Sequence, residues 1–421
     1  MLRGLIDVAT VKPTIELADV LAEHFADYLK VAHCTAAQFA AVNAILKCRT
    51  AALGGHLRVC DVCDRVQVVF NSCGNRHCPK CGAFERAQWL AQHGARLLPV
   101  PHFHVVFTVD HRINALAEVN PEAVYDLLFA TANQTLKAFA QQYLGGAIGV
   151  TAVLHTWGQT LQHHIHLHCL VTGGALVQTR RGLCWRKSAP GFLFPVKALS
   201  QQFRDAFRAG LRRLAHRDEL RLVGPCADLD VAQLAQALGD RAWKVYIGKP
   251  PQRYDAEQLL AYLGRYVRRT AITNPRLVAL ADGQVTFTYH DNRARDEAER
   301  GQPKTMKLPA VEFIRRFLRH ALPFQFKRVR HFGLYASAKR TLLGLVHGLV
   351  GHSPAAQPPQ PPKLALGAWL ATFVTGDPFT CPFCGVGRTR LGREFAPIRG
   401  FALWLLILLG LPGAGRPAPA P

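Results

Sequence analysis

The sequence predicts an α+β protein in which a small, helical, cysteine-rich domain precedes a larger domain of strands and helices. Three observations predict this fold class. The chain opens with apolar residues at helical spacing, cysteines then occur in close pairs, and short alternating segments are afterwards interleaved with longer helical ones. We predict an N-terminal domain over 1–98, the larger domain over 99–350, a proline-rich linker over 351–363 and a small C-terminal tail over 364–421.

The individual elements follow from the spacing of apolar residues. Leu17, Val20, Leu21 and Phe25 recur at helical spacing, and the stretch 17–47 is predicted to hold two helices. Segments rich in β-branched and aromatic residues predict strands at 103–110, 150–157, 166–172, 243–247 and 284–290. Longer periodic segments predict helices at 85–97, 122–144, 196–217, 255–269 and 310–322.

The charge of the chain predicts a polyanionic partner. Lys and Arg number 51 against 28 Asp and Glu, which gives a formal net charge of +23. A surplus of this size favours nucleic acid, with an anionic membrane surface as the alternative. The apolar run at 401–411 is shorter than the ~20 residues that a membrane span needs, so we predict no membrane segment.

Close cysteine pairs predict a zinc site. Cys60 and Cys63 form one Cys-x-x-Cys pair, and Cys78 and Cys81 form another. Two such knuckles supply four soft ligands in the tetrahedral arrangement that zinc prefers, so we predict these four cysteines as the ligands of a structural zinc ion. Cysteines used in this way favour a reducing compartment, and we expect the protein in the cytoplasm.

Other cysteines and histidines leave alternatives open. Four candidates for a second zinc site are interleaved with the two pairs: Cys48, His56, Cys73 and His77. Buried cysteines and solvent-facing histidines would give the same pattern. A further pair, Cys381 and Cys384, has no second knuckle after it, so the sequence assigns it no partner ligands.

A dense run of histidines at 163–168 predicts a different kind of metal site. If the segment from His166 is a strand, His166 and His168 point to one face and Leu167 to the other. Two imidazoles suit a divalent cation and leave positions for a substrate oxygen. His155, on the preceding strand, is the predicted third ligand. The remaining candidates are Gln159, His164 and His104.

The helix predicted at 255–269 carries two candidate nucleophiles. Tyr262 and Tyr266 are four residues apart and therefore lie one helical turn from each other. A tyrosine that attacks a phosphate needs a cation to polarise the phosphodiester. Positive charge beside them comes from Arg265, Arg268 and Arg269. The alternative is that both tyrosines only fill a hydrophobic core.

Three signatures, in this order along the chain, resemble those of the IS91 family of transposases. They are CRTAALGGH…CDVC…SCGNRHCPKC, then LHTWG with HLHCLVTGG, then YLGRYVRRTAITNPRL. The resemblance extends from about Leu17 to about Leu345. It implies a zinc-binding domain followed by an HUH (His-hydrophobic-His) nuclease domain, with a central antiparallel sheet flanked by helices. Such enzymes cleave single-stranded DNA and drive rolling-circle-like transposition.

The resemblance also implies roles for single residues. His166 and His168 would bind a catalytic Mg²⁺ or Mn²⁺, separate from the structural zinc. Tyr262 and Tyr266 would be the nucleophiles, one becoming linked to a 5′ phosphate and the other serving strand transfer. The expected partner is single-stranded DNA at transposon ends in the bacterial nucleoid, and an oligomer is possible. Two alternatives stay open: a replication initiator or relaxase with the same chemistry, and a zinc-containing DNA-binding protein without catalysis.

Basic residues in the second half of the chain predict the DNA contact. Between Tyr262 and Arg340 there are 17 Lys and Arg against 6 Asp and Glu. An arginine stripe on the helix predicted at 310–322 suits a phosphate backbone. This helix contributes Arg315, Arg316 and Arg319 to the predicted DNA-binding residues. The other three are the arginines of the predicted tyrosine helix, Arg265, Arg268 and Arg269.

Overall fold

The computed structural model describes residues 14–81, 89, 93–94, 96–248, 264, 270–291, 301–351, 377 and 379–397. The α+β class is confirmed in these residues. Their helices are α1 (Leu17–Val31), α2 (Ala36–Lys47), α3 (Asn114–Val119), α4 (Pro121–Leu144), α5 (Val196–His216), α6 (Val231–Ala237), α7 (Ala310–Leu318) and α8 (Arg340–Leu349). Their strands are β1 (Gly55–Cys60), β2 (Val66–Phe70), β3 (His102–Thr108), β4 (Gly149–Trp157), β5 (His163–Thr172), β6 (Gly174–Thr179), β7 (Gly182–Lys187), β8 (Lys244–Gly248), β9 (Leu277–Ala281), β10 (Gln284–His290), β11 (Pro303–Pro309), β12 (Val329–Gly333) and β13 (Thr389–Phe395).

A five-stranded antiparallel sheet occupies the middle of the fold, in the order β12-β4-β5-β3-β8. One of its faces is apolar, and Val105, Phe107 and Leu167 on that face lie in the largest hydrophobic cluster, together with residues of α4 and α5. Because side chains alternate along a strand, the polar residues between these apolar ones lie on the opposite face. The two long helices therefore cover one face of the sheet and leave the histidine-bearing face to the site described below.

A second hydrophobic cluster joins the N-terminal helices to a later part of the chain. Leu17, Val20 and Leu21 of α1 are buried with Phe313 and Phe317 of α7, and the sheet β11-β10-β9 contributes to the same cluster. Helix α1 also donates a long-range hydrogen bond, from the Leu17 backbone N–H to the Asn274 side-chain oxygen at 3.1 Å. The cysteine-rich region is thus fixed against the residues that follow the predicted tyrosine helix.

Three further strands form a small sheet that connects distant parts of the sequence. Its order is β13-β1-β2, and both pairings are antiparallel. None of the described residues of these three strands belongs to a hydrophobic cluster. We call this sheet, with the turns at 60–65 and 379–388, the ribbon.

Helix ends explain one difference from the predicted elements. The helix predicted to extend to 322 ends at Leu318, and the next backbone N–H groups bond three residues back, from His320 to Phe317 and from Ala321 to Leu318. Pro323 cannot continue a helix and disfavours helical backbone in the residue before it. The last turn therefore tightens before that proline.

Several predicted features lie outside the described residues. They include most of the helix at 85–97, nearly all of the helix at 255–269, the linker at 352–363 and much of the tail. The three predicted domain boundaries stay predictions. Among the described residues, no helix combines the length and the hydropathy needed to cross a membrane.

Candidate active site and metal centres

Three histidines come together on the polar face of the central sheet. In the β4–β5 pairing, His155 lies directly opposite His166, and His168 follows two residues further along β5. Opposite residues of an antiparallel pair, and residues two apart on a strand, share one face of the sheet. One ring nitrogen from each of His155, His166 and His168 lies within 4.8 Å of the others. The structure thus places the predicted third ligand beside the predicted pair.

Hydrogen bonds orient two of these rings. The Nδ1 of His166 lies 2.8 Å from the backbone carbonyl of His164, which can only accept, so Nδ1 carries the proton and Nε2 keeps its lone pair. The Nδ1 of His168 lies 2.9 Å from the Nε2 of His104. Outer contacts of this kind fix the tautomer and direction of metal-ligating imidazoles. His104, a fallback third ligand in the sequence, contacts the outer nitrogen of His168 instead.

The spacing and protonation of the rings suit a divalent cation. The Nε2 atoms of His166 and His168 are 3.1 Å apart. Two nitrogens at ~2.1 Å from one octahedral ion, in adjacent positions, would be about 3 Å apart. Burial lowers the pKa of His166 to about 3, with the neighbouring His164 adding to the effect. The ring is therefore neutral at physiological pH, which is the form that binds a metal.

The loop that joins β4 to β5 is held by three side chains. The backbone carbonyls of Gln159, Thr160 and Leu161 accept hydrogen bonds from the side chains of Arg276, Arg316 and His320, respectively. Leu161 is buried and has a φ of 60°, a left-handed conformation that a leucine adopts only when its surroundings impose it. Because this loop sets the register of the hairpin, these bonds also set the position of His155 opposite His166.

A cavity of about 890 Å³ opens over the histidines. Besides the three rings, its walls include Lys244 of β8 and Arg276, so positive charge lies beside the candidate cation site. Lys244 is exposed, whereas the guanidinium of Arg276 also donates to the Thr288 carbonyl at 2.8 Å. The sequence offered no signal for Lys244. It did offer one for Arg276, which lies within the third family signature. The walls also carry Asp110, Tyr289 and Asp291.

The predicted nucleophiles and their arginines lie outside the described residues. This applies to Tyr262, Tyr266, Arg265, Arg268 and Arg269. Their segment connects β8, which contributes Lys244 to the cavity wall, to the stretch before β9, which contributes Arg276.

The arginines at the C-terminal end of α7 and directly after it have partners within the protein. Arg315 and Arg316 both pair with Glu312 at 2.6 Å, and Arg319 pairs with Glu118 at 2.7 Å. The two Glu312 pairs lie within one helix, at the spacing of neighbouring side chains. Their role in binding DNA stays a prediction, and these pairs neutralise part of the charge that the sequence assigned to it.

The predicted grouping of cysteines is wrong. Cys60 and Cys63 do not meet Cys78 and Cys81; they meet Cys381 and Cys384, while Cys78 and Cys81 meet Cys48 and Cys73. The reason is the β1–β2 hairpin. Cys60 and Cys63 lie at its tip, whereas Cys73 follows its base, where the Arg49 backbone N–H bonds to the Asn71 carbonyl. Five strand residues at ~3.3 Å each separate tip from base by about 16 Å.

The predicted histidine ligands of the second zinc site, His56 and His77, do not lie with either set of cysteines. His77 is turned away from the cysteines, and its Nε2 accepts a hydrogen bond from the Leu322 backbone at 3.4 Å. Burial lowers its pKa to about 3. His56 lies on β1 opposite Val69, outside both cysteine sets. Two sets of four cysteines therefore replace one Cys₄ and one Cys₂His₂ set.

The set at the hairpin base is compact, and three of its four cysteines are buried. The Sγ atoms of Cys48 and Cys81 are 3.4 Å apart, and those of Cys73 and Cys81 are 3.6 Å apart. These separations exceed the ~2.05 Å of a disulfide bond and approach the ~3.8 Å edge of a tetrahedron with 2.3 Å zinc–sulfur bonds. Four thiolates at this spacing fit one zinc ion. Cys48, Cys78 and Cys81 also belong to the cluster shared by α1 and α7.

Comparison with known proteins gives consistent matches. Residues 20–109 match the family model described as "Transposase zinc-binding domain", of the IS91 type, and residues 149–341 match one described as "Putative transposase". The chain is 41% identical over 358 residues to "Putative transposase y4qJ" of Sinorhizobium fredii, covering 83% of this chain and 87% of that protein. It is 28% identical over 351 residues to "Transposase for insertion sequence element IS801" of Pseudomonas savastanoi pv. phaseolicola, covering 82% and 81%. No solved structure matches the chain.

Proposed function

Because the chain belongs to the IS91 family of transposases and carries that family's zinc-binding domain, we propose that it cuts and rejoins single-stranded DNA by an HUH tyrosine mechanism. Its general activity is that of a transposase, which acts on DNA. The family membership favours this role over a replication initiator or a relaxase. The proposal concerns the chemistry, the residues that perform it and the preference for a single strand.

The observation that carries the proposal is the histidine face of the central sheet. His155, His166 and His168 lie on one wall of the cavity, and the opposite face of the same sheet is packed against long helices. Three imidazoles leave about half of an octahedral shell open for substrate oxygens. A bound Mg²⁺ or Mn²⁺ would polarise the scissile phosphate and offset its negative charge.

Tyr262 and Tyr266 are the proposed nucleophiles. The attacking tyrosine hydroxyl loses its proton as its oxygen forms a bond to phosphorus, the bond from phosphorus to the 3′ oxygen breaks, and the 3′ oxygen takes up a proton. The products are a 5′ phosphate linked to tyrosine and a free 3′ hydroxyl. Both ends of the tyrosine segment join elements that line the cavity, at Lys244 and at Arg276, which supports this assignment. The second tyrosine would serve strand transfer while the first stays linked.

The remaining residues are proposed to hold the substrate and the zinc. Lys244 is exposed at the cavity wall and would contact the DNA backbone, together with Arg265, Arg268 and Arg269. Cys48, Cys73, Cys78 and Cys81 are the proposed zinc ligands of the N-terminal domain. Binding should weaken as salt rises, because phosphate contacts release counterions.

Incubating the full chain with end-labelled single-stranded oligonucleotides of transposon ends tests the proposal. With Mg²⁺ or Mn²⁺ we expect a covalent adduct that resists denaturing gel electrophoresis. Tyr262→Phe and Tyr266→Phe should differ in effect, with the adduct surviving in at least one, and the double variant should form none. Each change removes only a hydroxyl group, so matched thermal unfolding of the variants serves as the control. An adduct in the double variant, or metal-independent cleavage, would refute the mechanism.

A further inference from the structure

The ribbon places two cysteine knuckles from opposite ends of the chain against each other. Cys60 and Cys63 lie at the turn between β1 and β2, and Cys381 and Cys384 lie in the turn that precedes β13. The Sγ atoms of Cys60 and Cys384 are 3.8 Å apart, as are those of Cys63 and Cys381. All four sulfurs lie within 4.8 Å of one another. We propose that these four cysteines bind a second structural zinc ion, which fastens the C-terminal module to the N-terminal zinc-binding domain.

The distances distinguish a metal site from a disulfide. Four sulfurs bound tetrahedrally to zinc at 2.3 Å would be about 3.8 Å apart. The two sulfur separations between the knuckles have this value, and they are nearly twice the length of a sulfur–sulfur bond. None of the four cysteines belongs to a hydrophobic cluster of the described residues, so packing in such a cluster does not explain why they lie together.

Both knuckles have backbone N–H groups directed at sulfur. The Val62 N–H donates to Cys60 Sγ at 3.4 Å, and the Gly387 N–H donates to Cys384 Sγ at 3.3 Å. Such bonds favour the thiolate, which is the form that binds zinc.

The backbone around the sulfurs is shaped for close approach. A Cβ at Gly387 would lie 2.4 Å from Cys60 Sγ, so only glycine fits at that position. Asp64 and Gly385, each one residue after the second cysteine of its knuckle, have positive φ values of 54° and 69°. Left-handed residues of this kind turn the chain sharply enough for both cysteines of a knuckle to face one point.

The two knuckles are also joined by backbone bonds. The Asp61 N–H donates to the Arg388 carbonyl at 3.1 Å, and the Arg388 N–H donates to the Asp61 carboxylate at 2.7 Å. Thr389 then pairs with Cys60 at the start of the β13–β1 ladder. No described residue of this small sheet belongs to a hydrophobic cluster, so zinc would supply much of the free energy that holds it together. The C-terminal pair lies beyond the 20–109 match to the zinc-binding family.

Metal analysis of the purified full chain tests the inference. We expect two zinc ions per chain, one remaining in the double variant Cys381→Ser/Cys384→Ser, and one remaining in Cys73→Ser/Cys78→Ser. Cys184→Ser is the matched control, because Cys184 is half-buried on β7 outside both sets, and it should retain two. One zinc per wild-type chain, or an unchanged zinc content in Cys381→Ser/Cys384→Ser, would overturn the proposal.

A second measurement does not depend on the folding of variants. Wild-type protein refolded with Co²⁺ should bind two ions that give the intense visible absorption of tetrahedral thiolate coordination, whereas a Co²⁺ ion at the three histidines would lack that absorption. Cys384→His should keep the second ion with a shifted spectrum, since a neutral imidazole also binds zinc. Binding of a single cobalt ion to the wild type would contradict the second site, whatever its effect on DNA cleavage.

Discussion

The histidine face and the ribbon are both candidate metal sites, but they are held together differently. The histidines project from a five-stranded sheet whose other face is packed on two long helices, and hydrogen bonds orient His166 and His168. The ribbon has three short strands, no described residue in a hydrophobic cluster, and sulfur ligands from both ends of the chain. The comparison indicates that the packed sheet positions the histidines before a metal binds. In the ribbon, by contrast, the bound metal would itself hold the cysteines together.

The largest expected effect is the response of the two regions to metal removal. A strong zinc chelator should unfold the ribbon, because structural zinc contributes on the order of 10 kcal/mol in small domains. Hydrogen exchange followed by mass spectrometry should show lost protection in 55–70 and 379–395, with protection kept in 149–172. Adding zinc back should restore it. Equal loss of protection in both regions would contradict the claim that only the ribbon depends on metal for its folding.

The next effect concerns cleavage. His168→Ala should lower the rate of strand cleavage by about a thousandfold, since metal stabilisation of the transition state is worth several kcal/mol. The melting temperature and zinc content should stay close to wild type, because the sheet is held by its core. His216→Ala, at the exposed end of α5, is the control. Cleavage near the wild-type rate in His168→Ala would remove this histidine from the site.

A smaller effect is expected at His104, which contacts the outer nitrogen of His168. We call it a positioning residue. His104→Ala should raise the Mn²⁺ concentration for half-maximal cleavage by about 10- to 100-fold, the usual range for residues that orient a metal ligand. Cleavage at saturating Mn²⁺ should largely recover. A lower rate at every metal concentration, with an unchanged metal requirement, would indicate a merely structural role.

The smallest effect is expected at Glu312 of α7. Hydrogen bonds from Arg315 and Arg316 lower the pKa of this carboxyl to about 2, although partial burial opposes the shift. Glu312→Gln should cost up to about 1 kcal/mol of unfolding free energy, because the ion pairs are partly exposed. A lowered carboxylate pKa stabilises the fold above the unfolded pKa of ~4.3, so the difference should be constant from about pH 6 to pH 8. Chemical denaturation at several pH values checks this, and a difference that varies with pH would contradict it.

The same comparison shows what the sequence could predict. The shared face of His166 and His168 follows from strand alternation, and the position of His155 follows from a short hairpin, so both are local features. The cysteine sets are not local. Which pairs meet depends on the length of the β1–β2 hairpin and on β13, whose residues are more than three hundred positions from β1. Cys381 and Cys384 therefore had no visible partner in the sequence.

The partners of the polar side chains around the site also could not be predicted from the sequence. Arg316 was predicted from its helical stripe to face DNA, whereas its guanidinium donates to the Thr160 carbonyl and pairs with Glu312. Lys244 enters the cavity wall only because β8 pairs with β3. Periodicity identifies which side of an element is polar, but the partner that a polar side chain finds depends on the tertiary arrangement.

Mapping the covalent adduct tests the central claim most directly. Trypsin should release Tyr262 in the peptide 254–265 and Tyr266 in the separate peptide 266–268. After the oligonucleotide is digested away, tandem mass spectrometry should find the 5′ phosphate on Tyr262 or Tyr266, and only when Mg²⁺ or Mn²⁺ was present with intact His166 and His168. A phosphate on Tyr254, or on Tyr289 in the peptide 277–293, would contradict the account.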